Sequence, residues 1–151
     1  MNTSLDLALA TLHHLGILTV FGVLVAELVL LRLQPSVNSI ELIARVDLAY
    51  GIAAGFVLAA GFARVAWGVK GAGFYLGNPV FWLKLGLFVV IGLISVAPTL
   101  TYLRWRRAAW TGGVLPGAHE VTRVRRWVLL QTVLFAALPL LAAMTARGLG
   151  Y

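Results

Sequence analysis

Four long apolar runs decide what this chain can become. They extend from Leu5 to Leu33, Ile40 to Gly68, Pro79 to Arg104 and Val124 to Arg147. A helix needs about 20 mostly apolar residues to cross the hydrocarbon core of a bilayer, and each run reaches that length. No water is present in that core to satisfy backbone N–H and C=O groups, so a spanning segment is a helix or part of a closed β-barrel. A barrel would show short segments of alternating hydrophobicity, and the sequence has none. The expected fold is an all-α, four-helix membrane bundle, with residues 1–151 as a single four-span domain. The lipid bilayer is its first partner.

Local signals place the ends of the spans. The first run stops before Gln34-Pro35, the third opens at Pro79 behind Asn78, and the fourth stops at Gly148. Proline is favoured at the first helical position. The stretch from Ala108 to Glu120 holds Gly112-Gly113 and Pro116-Gly117 and reads as a turn-rich linker. The first run lacks a preceding basic region, exceeds the length of a signal core and contains Glu27, so it is expected to remain as a helix. Gly51, Gly55 and Gly61 place small residues along the second run, where they allow close helix approach.

Charge is sparse and unevenly placed. Charged residues make up 11% of the chain against roughly 25% in soluble domains, so each position carries information. The net charge is +7. The bases lie at the ends of apolar runs rather than on a soluble face, which makes them topology signals and argues against a nucleic-acid partner. Arg32 and Arg45 flank the first loop, and Arg104, Arg106, Arg107, Arg123, Arg125 and Arg126 surround the third. The opposite side has Arg64, Lys70 and Arg147. By the positive-inside rule the two arginine-flanked loops face the cytoplasm. Both termini then lie on the outer, periplasmic side of a multi-pass protein of the bacterial inner membrane. Trp67, Tyr75 and Trp82 fall at the outer interface, with Trp105, Trp110 and Trp127 at the inner one.

A charged side chain near the bilayer centre costs at least about 2.5–3.5 kcal/mol, and such residues pair or mark function. Counting along the spans puts them in two layers. The outer layer draws His13 or His14, Arg64, Lys84 and Met144 from four different helices. The inner layer holds Glu27 and Arg32 from the first span, with Glu41, Arg45, Asp47 and Tyr50 from the second. Glu27 with Arg45, and Arg32 with Asp47, are the expected structural pairs. A proton path through Glu27 and Tyr50 is the alternative.

Adjacent histidines on a helix point about 100° apart, so only one of His13 and His14 faces the bundle axis. Imidazole is a common axial ligand of haem iron, and Arg64 offers a cation for a propionate. His119 lies in the cytoplasmic loop, so a sixth ligand would be Lys84, Met144, water or a group from a partner chain. Two blander readings stand beside this one: the histidine is a packing residue, and Lys84 snorkels to the headgroups. The chain has no cysteine, which excludes disulfides, thiol catalysis and iron–sulfur ligation and leaves a zinc or copper site short of ligands.

The span-one histidines, the RVDLAYG stretch from Arg45 to Gly51, and FWLKLGLF from Phe81 to Phe88 together resemble the bacterial membrane-embedded protoporphyrinogen oxidases. They are also similar to the wider copper-resistance protein D-like superfamily. That resemblance implies that His13 or His14 and Lys84 are functional positions, that Arg45 matches an arginine near the start of the second helix, and that haem b is bound. The combination of HHLG, RVDLAYG, GFARV, NPVFWLK and PTLTYLRWRR spans nearly the whole chain. It looks most like a family of small four-span bacterial inner-membrane proteins of unassigned function. Three functions follow as expectations: a haem-b protein in electron transfer or oxidoreduction, with His13 or His14 on the iron; a small transport, export or metal-handling subunit; or a structural subunit with no site. A homo-oligomer or a redox partner is the expected protein neighbour. Whether the chain is an enzyme is open at this point.

Overall fold

The computed structural model describes residues 3–147, and the expected helix stop at Gly148 lies outside them. Four long helices form the bundle: α1 (Thr3–Leu30), α2 (Val37–Trp67), α4 (Pro79–Trp110) and α5 (Ala118–Ala146). A short helix, α3 (Gly71–Leu76), lies within the connection between α2 and α4. All four long helices are apolar and long enough to cross a membrane. The chain is therefore an all-α, four-helix membrane bundle in a lipid environment.

The helix starts have identifiable causes. Ser36 caps α2 through a reciprocal pair: its hydroxyl accepts from Ser39 N–H at 3.1 Å, and the Ser39 hydroxyl accepts from Ser36 N–H at 2.8 Å. Asn78 caps α4 by accepting from Val80 N–H at 2.8 Å, with Pro79 at the first helical position as expected. At the far end α4 runs past Arg104 to Trp110, because Arg and Ala are good helix formers and no breaker intervenes. It stops where Gly112 takes φ +70° and Gly113 N–H reaches back to Ala108 O at 2.8 Å. Likewise α5 begins at Ala118, six residues before the apolar run. The arginine-rich ends thus project as helix beyond the apolar spans.

Within the bundle α1 packs on α2 and α4 on α5, with cross-contacts from α2 to α4 and from α1 to α5. The core between them includes Val20, Leu24, Val57, Ile91, Val128 and Phe135. The two helices approach closely at Gly16, where a Cβ would lie 2.8 Å from Val57 Cγ2 and 3.2 Å from Phe56 Cδ1. A Cβ added at Gly51 or Gly55, the GxxxG-like pair, would meet nothing within 4 Å, whereas one at Gly61 would lie against the His13 ring. Gly16 and Gly61, rather than Gly51 and Gly55, are thus the glycines at the α1–α2 packing contact.

Ion pairs tie the arginine-rich end together. Glu41 on α2 receives a two-pronged grip from Arg106 on α4, Nε to Oε2 at 2.8 Å and Nη2 to Oε1 at 3.2 Å. Arg106 also stacks over Trp110, 4.3 Å from its ring centre. Arg45 reaches the same Glu41 from one turn along α2 at 3.1 Å. Arg104 pairs with Glu120, joining α4 to α5. At the opposite end Asp6 accepts from Val69 N–H at 3.2 Å, and Lys70 donates to Ala146 O at 3.3 Å while lying over Phe74.

Candidate functional site

Two polar groups lie inside the bundle. The first is near the end where α1 begins. Here the histidine ambiguity resolves. His14 is exposed on the surface of α1, and its Nδ1 lies 2.6 Å from Ala10 O of the same helix. His13 turns inward against α2. Its Nδ1 lies 3.1 Å from Val57 O, and its Cε1 would sit 3.2 Å from a Cβ at Gly61. A backbone carbonyl can only accept, so Nδ1 carries the proton and Nε2 keeps its lone pair. This is the arrangement by which a carbonyl orients a metal-ligating histidine.

Arg64 of α2 and Lys84 of α4 are close enough to His13 to act on it electrostatically. Both are half-buried. Among the described residues Arg64 Nε is buried without a hydrogen-bond partner, and Lys84 lies 5.5 Å from the centre of the Phe81 ring. Three helices thus bring an imidazole and two cations within electrostatic reach of one another. Met144 is on the last turns of α5 and is also half-buried.

The second group lies deeper, toward the arginine-rich end. Glu27 is 2% exposed and accepts from the Tyr102 hydroxyl at 3.3 Å through Oε2. Its Oε1 is buried with no hydrogen-bond partner among the described residues. Asp47 is 8% exposed and accepts from the Thr99 hydroxyl at 2.9 Å. The two carboxyls, with Tyr50 and Tyr102, lie within electrostatic reach of one another. Each comes from a helix face that the core packing turns inward: Leu24 and Glu27 on α1, Ile43, Asp47 and Tyr50 on α2, and Pro98 and Tyr102 on α4.

The expected pairing of this layer needs correction. Glu27 does not meet Arg45, whose side chain is 73% exposed and engages Glu41 instead. Arg32 follows the end of α1, is exposed, and makes no ion pair with Asp47 among the described residues. The physical reason is reach. At this end of the bundle the arginines find Glu41 and Glu120 without leaving the polar region, whereas Glu27 and Asp47 lie on core-facing stripes. A second correction concerns Trp105, expected at the inner interface. It is 4% exposed and packs on Tyr102 with ring centres 5.7 Å apart. Residue counting alone does not place Tyr102 and Thr99 in this layer. Their i, i+3 spacing on α4, opposite the depth of Asp47, is the signal that could have found them.

Among the described residues no three His, Asp or Glu side chains converge to hold a metal ion. No curated protein and no solved structure matches this chain. A family model does, over residues 5–150, described as "Predicted membrane protein (DUF2214)". With four membrane-length helices and a match over nearly its whole length, the chain belongs to that family of predicted membrane proteins.

Proposed function

We propose that the chain is a haem-b-binding protein of the bacterial inner membrane that acts in electron transfer or oxidoreduction. The arginine-rich end then faces the cytoplasm. The observation that carries this reading is the inward His13, whose Nδ1 is held by Val57 O so that Nε2 is left as the ligating nitrogen. Bound haem b would supply one-electron exchange, with a potential tuned by its axial ligand and burial.

The residues present suit that group. Arg64 carries a buried, unpartnered Nε that a propionate would satisfy. Lys84 adds a second positive charge from α4. Lys84, Met144, water or a group from a partner chain would complete the iron's ligand set. The roles of His13 and Lys84 also follow from the resemblance to the membrane-embedded protoporphyrinogen oxidases, in which a first-helix histidine and a third-span lysine are the functional pair. His14 faces away and has no part in the site. A homo-oligomer or a separate redox protein would exchange the electron.

The test is the absorption spectrum of the protein purified in mild detergent from a haem-replete host, oxidised and then reduced with dithionite. A Soret band with b-type features on reduction is the predicted result. A folded, colourless protein that stays colourless when haem is added would overturn the proposal. The alternative, a small transport, export or metal-handling subunit, draws on the carboxyl layer rather than on His13.

A further inference from the structure

We propose that Glu27 and Asp47 form a proton-binding site within the membrane, holding one exchangeable proton between the two carboxyls. The site is separate from the His13 group and its existence does not depend on haem.

The geometry excludes the usual way of burying two acids. An ionised carboxylate in a low-dielectric interior is stable only if it is paired with a cation and fully hydrogen-bonded. Among the described residues neither Glu27 nor Asp47 forms an ion pair, and the arginines at this end of the bundle are exposed or committed to Glu41 and Glu120. Two like charges within reach of each other raise the cost further. Glu27 Oε1 gives an independent indication. It is an oxygen of a residue 2% exposed, with no donor directed at it, while its twin Oε2 and Asp47 Oδ1 each have a hydroxyl donor. A proton on that oxygen removes a charge that no cation among the described residues compensates.

The surroundings fit a proton better than a metal ion. From α2 the titratable neighbours are Asp47 and Tyr50, and from α4 Tyr102. The buried polar residues of α5, which packs on α1, are Gln131 and Thr132, and neither titrates. The donors therefore number two carboxyls and a few hydroxyls, below the six or more oxygens that calcium takes. The step is acid–base alone: a carboxylate takes a proton from water to become a carboxylic acid, and later returns it. No electron moves.

Infrared difference spectroscopy on the full chain in lipid nanodiscs, stepped from mildly acidic to mildly alkaline buffer, tests this. The predicted result is one carboxylic-acid C=O band that shifts in D2O, titrates as a single proton, disappears in Glu27→Gln and moves in Asp47→Asn. Absence of a titrating carboxyl band would overturn the proposal, as would a band unmoved in Asp47→Asn. So would a titration displaced by sodium at constant ionic strength, which would identify a metal-cation site. Should Glu27→Gln fail to fold, the wild-type titration and Asp47→Asn still decide.

Discussion

At the scale of single residues, position on the helix face matters more than residue type. His13 and His14 are neighbours in sequence, yet one bonds across to Val57 and the other back to its own helix. The same holds for glycine. Gly16 faces Val57 and Phe56, whereas Gly51 and Gly55 face open space. Gly16→Ala is therefore expected to destabilise the bundle by roughly 1–3 kcal/mol through overpacking. Gly51→Ala and Gly55→Ala are expected to be neutral or to stabilise by up to about 1 kcal/mol, the usual gain over glycine inside a helix. Reversible unfolding in mixed micelles measures all three. Equal losses at Gly16 and Gly51 would mean that Gly51 packs against another chain. The presence of ionisable groups within the apolar runs is legible in the sequence. Which side chain faces which is not. A helix as apolar as α1 has almost no polar face to orient it, so the choice between His13 and His14 needs the packing.

At the scale of elements, the four spans are legible because length and hydropathy in lipid leave few alternatives. Their ends are less so. Apolar runs mark the bilayer, while caps and breakers mark the helix, and α4 and α5 continue beyond the apolar region at their arginine-rich ends. That extension creates the Glu41–Arg106 link between α2 and α4. Loss of Arg106 removes a bidentate contact and the stacking on Trp110, whereas loss of Arg45 removes an exposed pair within one helix. Thermal unfolding should show a clear drop in midpoint for Arg106→Ala and almost none for Arg45→Ala. A double-mutant cycle should give Glu41–Arg106 the larger coupling. Comparable effects of the two substitutions would contradict the clamp.

At the scale of the whole molecule, the bundle separates its polar groups by sign. Cations gather with His13 near the end where α1 begins, and uncompensated acids gather around Glu27 and Asp47 nearer the arginine-rich end. Such residues are costly in lipid, and their inward placement in two layers favours function over accident. The central claim is that His13, and not His14, is the iron ligand of a bound haem. The most direct measurement compares reduced-minus-oxidised spectra of wild type, His13→Ala and His14→Ala, each purified from a haem-replete host and matched for folded protein by circular dichroism. The predicted result is a b-type spectrum in wild type and His14→Ala, and its loss in a still-helical His13→Ala. Loss in His14→Ala with retention in His13→Ala, or a folded wild type that carries no haem, would contradict it.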